Sequence, residues 1–253
     1  MAWDMTVGIV CPAPLEYQVC RDVLELSDEA ELSGRLISTR CDETMKVVAV
    51  QSGPGKIQSA SATQLVIDRF IPDIIIDVGG AGSLSVRVGI FDIVLAENVY
   101  EYDVCTMEEF PQLADDLTTG TILRDLSRKQ RDILHRFMEK VKREKSIELV
   151  TGNIASGERN VKDGSLREAL NTAFGAVACN WETSAVLKTG QRNGVKTMVF
   201  RVITDHAGMN MEKELKANWK NALMILYPVL GSFLFEGWLR RILAGSPSES
   251  EKR

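Results

Sequence analysis

Short apolar runs ending in glycine or charge alternate along this chain with longer stretches whose apolar residues recur at helical spacing. Residues 6–10 are a β-rich run. Residues 14–26 follow as a helix, with Pro14 in its first turn and Leu15, Val19, Val23 and Leu26 along one face. Residues 35–39 and 46–50 read as two strands joined by a polar turn. Ser52-Gly53-Pro54-Gly55-Lys56 then leads into a helix ending near Phe70. Residues 73–78 form a buried strand, closed by a glycine-rich turn from Gly79 to Ser83, and residues 90–96 form another. A polar, acidic, irregular stretch at 98–119 is longer than most connections in compact domains and reads as a lid or interface segment.

Residues 126–141 form an amphipathic helix with Ile133, Leu134, Phe137, Met138 and Val141 on one face. Residues 146–155 return as a strand, 164–172 and 181–193 are helices, and 197–203 are a strand. The most apolar window, 222–235, is too short to span a bilayer and reads as a buried helix kinked near Pro228. Residues 246–253 look like a solvated tail after a domain covering 1–245. Strands alternating with helices make this an α/β chain, and 253 residues with 45% hydrophobic content fit one large domain.

The stretch from Val199 to Gly208 organises the rest. Continuous apolar runs are the buried strands of parallel sheets, and ligands of such folds sit beyond the carboxyl ends of those strands. Asp205 therefore stands at a ligand address. A plainer reading also holds at this point: aspartate is a favoured helix N-cap, and Asp205 could cap the following segment. Both glycine-rich turns follow strands, where glycine permits close backbone approach and a following helix offers free N–H groups to an anion. Neither turn matches GxGxxG or the P-loop ending, so the chain does not read as a nucleoside triphosphatase.

Composition narrows the classes further. A net charge of −5 with both signs interspersed leaves no basic footprint for nucleic acid. The five cysteines are odd in number, scattered and never in a CxxC pair, which indicates neither a disulfide framework nor a zinc site. With no signal-peptide pattern at the N-terminus, a reduced, cytoplasmic setting is expected. His206 has no metal-ligand neighbours and reads as a satisfied loop histidine.

Four motifs in order carry a resemblance. Val7-Gly8-Ile9-Val10 is followed by Glu16; Ser52-Gly53-Pro54-Gly55-Lys56 looks like an SGxGK turn; Asp77-Val78-Gly79-Gly80-Ala81-Gly82 is similar to N-T-G-S-A-G; and Asn180-Trp181-Glu182 with Arg201-Val202-Ile203-Thr204-Asp205 is similar to E-M-E and R-A-I-S-D. From Val7 to Gly208 the chain resembles the nucleoside phosphorylase and nucleosidase superfamily, within it the methylthioadenosine/S-adenosylhomocysteine nucleosidases. The resemblance implies a single three-layer α/β/α domain around a twisted mixed sheet, a homodimer with the 98–119 stretch near the partner or the 5′ pocket, and a purine nucleoside as substrate. It implies no cofactor and no metal; charge and the short apolar window set the expectation of no nucleic-acid and no membrane partner, with a peripheral membrane contact through 222–235 as the lesser alternative.

The resemblance also implies roles. Asp205 would protonate or hydrogen-bond the purine N7, Glu16 would orient and deprotonate the attacking water, and Arg201 would help position that water or Glu16. Glu182 would hold the ribose hydroxyls with Trp181 against the sugar. Asn180, Gly80, Ala81, Gly82, Asn160 and Thr204 would complete the substrate pocket. Read without the resemblance, Glu16 and Glu182 are also ordinary acids near helix starts, Arg201 in an apolar strand needs a partner whatever its role, and Trp181 could be core.

This chain departs from the nucleosidase motifs at Gly80, where serine is expected, at Asn180, where glutamate is expected, and at Asn160, near the place of a stacking phenylalanine. Phosphorylase relatives commonly carry arginine where this chain has Asp77, whose charge would repel a phosphate and favours water as nucleophile. Arg21 and Arg87 are left as cations that could reach a phosphate. The expected activity is hydrolysis of the N-glycosidic bond of adenosine-type nucleosides, with a phosphorylase and a catalytically silent nucleoside-binding module as the alternatives.

Overall fold

The computed structural model describes residues 4–104 and 117–244. Its central sheet is built on four of the apolar runs: β1 (Met5–Cys11), β4 (Met45–Gln51), β5 (Ile74–Ser83) and β10 (Lys196–Asp205). They lie parallel in the order β4-β1-β5-β10, with Val7 opposite both Val47 and Ile74. Because side chains alternate across a strand, one run feeds two cores. Ile74, Ile76 and Val78 pack toward α1 (Pro14–Val23), α3 (Arg128–Lys145), α6 (Met211–Phe235) and α7 (Trp238–Ala244). Ile75 packs on the other face with Ala62 and Val66 of α2 (Lys56–Phe70) and Val186 of α5 (Thr183–Arg192). The result is the layered mixed α/β architecture expected from the resemblance.

The sheet also closes on itself. β6 (Ile93–Glu101) runs antiparallel to β10, β8 (Leu149–Ser156) lies parallel to β6, and β9 (Ala176–Asn180), preceded by α4 (Gly164–Phe174), lies parallel to β8. β9 then returns antiparallel to β5 through Gly82 opposite Cys179 and Ser83 opposite Ala178. β5, β10, β6, β8 and β9 thus form a ring, and β5 belongs to the ring and to the open sheet at once. Beyond β4, β3 (Arg35–Cys41) and β2 (Asp28–Leu32) continue antiparallel, and β7 (Thr118–Gly120) pairs with β6.

Several expectations change. Gly79 to Ser83 is not a closing turn: β5 continues through it, because its glycines make room for neighbouring side chains rather than for a bend. The 98–119 stretch is not wholly irregular, since residues 98–101 extend β6 and 118–119 belong to β7; residues 105–116, and the tail at 246–253, lie outside the described residues. β2 and β9 were not expected. α6 starts at Met211 and runs through Pro228 as one helix, and a bend of 51° separates it from α7 at the break between Phe235 and Trp238, where Gly237 has a φ of 78°. Among the described residues no single helix is long and apolar enough to cross a membrane.

Candidate active site

The carboxyl ends of β1, β4, β5, β8, β9 and β10, or the residues just after them, meet at one cavity of about 230 Å³. The side of the sheet on which a parallel fold binds ligands is thus where the candidate residues gather. Glu16, Gly80, Ala81, Gly82, Asn160, Asn180, Trp181, Glu182, Arg201, Thr204 and Asp205 all line it.

Glu16 is 4% exposed in the first turn of α1. Its Oε2 accepts from the Ala13 amide at 2.9 Å, the local duty of a first-turn acid, while Oε1 accepts from the Gly80 amide at 2.8 Å, across the sheet. Glu16 therefore serves its own first turn and reaches the cavity from it. Burial pushes its pKa up, opposed by the nearby Arg201 charge, the two amides and the Trp219 indole. β5 can pass this close only as glycine: a Cβ on Gly79, whose φ is 151°, would stand 2.7 Å from Glu16 Oε1 and 2.8 Å from Arg201 Nη1.

Arg201 is 1% exposed in the middle of β10 and finds its partner in Asp77 of β5, itself fully buried. Nη2 donates to both Asp77 oxygens at 2.6 and 2.7 Å, and Nε donates at 3.0 Å. The third nitrogen, Nη1, donates to the Gly80 carbonyl at 3.3 Å and lies 3.7 Å from Glu182 Oε2. The donors and acceptors around Asn180 assign its carbonyl oxygen to Arg201 Nε and Nη2, at 2.9 and 3.0 Å, and its NH2 to Ser156. Thr183 donates to Asp77 at 2.6 Å. This corrects the expectation for Asp77: it does not line the cavity or face an incoming phosphate, but holds the guanidinium from behind. Arg21 is paired with Asp22 and Glu29, and neither it nor Arg87 lines the cavity.

Glu182 occupies the N-cap position of α5 without capping it. Its carboxylate instead accepts from the Gly55 amide at 3.1 Å, and burial pushes its pKa up to about 7. The Lys56 amide donates to Glu158 at 2.5 Å. The anion site expected at the start of α2 is therefore filled by the chain's own carboxylates. Lys56 Nζ turns away to Glu101 at 2.9 Å and Asp103 at 2.7 Å, and Asp103 accepts from the Glu158 amide at 2.8 Å. That network, with the Tyr102 hydroxyl donating to the Arg159 carbonyl at 2.6 Å, fixes the loop that carries Asn160.

Asp205 ends β10, 4% exposed, and does not cap α6, whose N-cap is Asn210. Oδ1 accepts from the Ala207 amide and Oδ2 from the Thr204 hydroxyl, both at 2.9 Å. Burial raises its pKa, against the pull of those two bonds. Trp181 is not core: it is 37% exposed. His206 pairs with Glu214 and stays outside the lining. Among the described residues no cluster of His, Cys, Asp and Glu is placed to hold a metal ion.

Sequence reasoning missed Met211, Leu215 and Trp219, which bring one face of α6 over the cavity, and Tyr102 and Cys179 in its wall. Their i, i+4, i+8 spacing was the available signal for the first three.

The family model of the phosphorylase superfamily matches residues 6–230. The chain is 28% identical over 236 residues to the 5′-methylthioadenosine/S-adenosylhomocysteine nucleosidase of Treponema pallidum, covering 85% of this chain and 86% of that protein. It is 26% identical to the nucleosidase of the same name from a Geobacillus species, covering 81% and 87%. Among solved structures, the Helicobacter pylori 5′-methylthioadenosine/S-adenosylhomocysteine nucleosidase with butyl-thio-DADMe-Immucillin-A superposes with a TM-score of 0.80 at 23% identity, covering 93% of this chain and 100% of that one. Futalosine hydrolase of the same species superposes with a TM-score of 0.79 at 24% identity, covering 92% and 98%. At these identities the two superpositions establish a shared fold.

Proposed function

The chain belongs to the phosphorylase superfamily, and from that membership we propose that it is a purine nucleoside N-ribohydrolase acting on adenosine-type nucleosides such as methylthioadenosine or S-adenosylhomocysteine. The names of its curated relatives support the reaction class. In the step we assign, the bond from C1′ to the purine nitrogen breaks with its electrons passing into the base, Asp205 delivers a proton to the purine N7, and water adds to C1′ while Glu16 takes its proton. Burial raises the Asp205 pKa, the direction a proton donor needs, and the amides of Ala13 and Gly80 aim the Glu16 carboxylate. Glu182, held on the Gly55 amide, is placed to accept from ribose hydroxyls.

One observation carries water over phosphate as nucleophile: the buried cation beside Glu16, Arg201, is already consumed by Asp77. With Asp77 bound to that guanidinium and Glu16 and Glu182 facing it, a phosphate would find its positive charge already countered. The test is free-base release from methylthioadenosine, S-adenosylhomocysteine, adenosine, inosine, guanosine and futalosine, each with and without phosphate. Phosphate-independent release is expected, with Asp205→Asn lowering kcat about 10²-fold or more. Release only with phosphate, with ribose 1-phosphate as product, overturns the hydrolase reading, and binding without release marks a sensor.

A homodimer and a cytoplasmic setting belong to the same proposal. Ile57, 79% exposed, and Val104, 41% exposed, flank the Lys56–Asp103 ion pair and offer apolar surface to a second copy. Cys11, Cys20, Cys41 and Cys179 are free thiols, which suits a reducing compartment.

A further inference from the structure

Among the described residues, the cavity lining holds one deeply buried cation, and several carboxylates face it. Arg201 faces Asp77 on β5, Glu16 on α1 and Glu182 at the start of α5, all less than a tenth exposed. Asn180, at the end of β9, shares with Asp77 the Nε and Nη2 edge of the guanidinium. Asp77 brings a carboxylate to that edge and Asn180 an amide. Two positions about a hundred residues apart along the chain meet on one side chain.

We propose that Asp77 and Asn180, a carboxylate and an amide sharing one edge of the Arg201 guanidinium, together act as positioning residues for Glu16 and Glu182. One carboxylate sits on the Nε and Nη2 edge, and it comes from the strand behind the cavity, while the amide comes from the cavity wall. An Asp77 with glutamate at 180 would surround one guanidinium with four carboxylates, and asparagine at both positions would leave the edge without a counter-ion. Thr183 completes the arrangement by donating to Asp77, at 2.6 Å, in a place where only an acceptor fits. Because Asp77 holds Nε and Nη2, only Nη1 is turned toward Glu182, at 3.7 Å, and Arg201 acts on the two cavity carboxylates through its charge rather than through a hydrogen bond. The sign follows: the Asp77 charge pushes the Glu182 pKa up, and Arg201 pulls it down. The other groups facing these carboxylates are each other and the Tyr227 phenol on α6, itself held neutral by burial.

The inference rests on the assignment of Glu16 as the base, and its test separates the two. Asp77→Asn, Asn180→Glu and the double variant are compared in the pH profile of kcat/KM for base release, alongside Tm. Asp77→Asn frees Arg201 for Glu16 and Glu182, so the acid limb moves down by about one pH unit or more; Asn180→Glu adds a carboxylate and moves it up. The double variant returns the limb to within a few tenths of the parent. A packing role alone would lower Tm or kcat and leave the limb in place, and that result, or a double variant displaced as far as the worse single one, overturns the proposal. If one single variant does not fold, the other single and the double make the same comparison. If the parent releases no base from any nucleoside, the reaction assignment has failed on its own, and the pair is read from the pH dependence of Tm, whose Glu182 inflection shifts in the same order or refutes it.

Discussion

Gly80 and Thr204 show how a single missing atom shapes the site. A Cβ on Gly80 would stand 3.1 Å from Thr204 Cγ2, so the methyl group of Thr204 occupies the space that the motif's serine would need. Thr204 is 1% exposed and its hydroxyl is engaged by Asp205 and the Ala81 carbonyl, which leaves it little room to yield. Gly80→Ser is therefore expected to cost about 1–3 kcal/mol and to turn the Thr204 hydroxyl away from Asp205, with thermal melting and kcat as the readouts. Adding Thr204→Ser removes the methyl and is expected to recover most of the loss; no recovery would show that the two positions do not share this space.

Among the elements, the start of α2 ties the most pieces together. Its first amides hold Glu182 and Glu158, and the Lys56 side chain reaches Glu101 at the end of β6 and Asp103 just beyond. Lys56→Met should free the loop that carries Asn160 and cost about 1–3 kcal/mol, between the surface and buried limits for ion pairs, since Lys56 and Asp103 are each about 20% exposed. KM is expected to rise more than kcat falls, and amide exchange at 157–160 to quicken; unchanged exchange would refute the link. Legibility along the chain follows the same physics. The central strands were readable because they are buried on both faces and so are continuously apolar. β2 escaped because Asp28 to Glu31 are all exposed and carry no alternation, and β9 because five small or polar-ended residues look like any connection. The candidates from the motifs, and Asn160 outside them, meet at one cavity, yet nothing local could show that Asp77 looks backward onto Arg201, since that depends on the register of β5 against β10. The α6 face was missed because its residues lie beyond the last motif.

For the molecule as a whole, two populations of carboxylates oppose each other. Glu16, Glu182 and Asp205 have pKa values raised by burial, so the stability they allow is fully present when they are protonated and is lost as pH rises, for Glu182 between 4.5 and about 7. Glu29, Asp42, Glu101, Asp163 and Glu236 are held low by their partners, and their stabilisation is lost as pH falls into the carboxylate range. Tm of the ligand-free protein should therefore peak at mildly acidic pH and decline toward pH 8, and Glu182→Gln should flatten the decline; a Tm still rising from pH 6 to 8 would contradict the burial of these groups. The closed ring has a further consequence, for crowded solutions of this chain. Strands that complete a ring offer no unpaired backbone to a neighbour, so the long open edge left for stacking among the described residues is β2. It presents Asp28, Glu29 and Glu31, and two such edges brought side by side would set like charges against each other. The architecture that gathers the cavity's residues thus also discourages the chain from polymerising through its sheet.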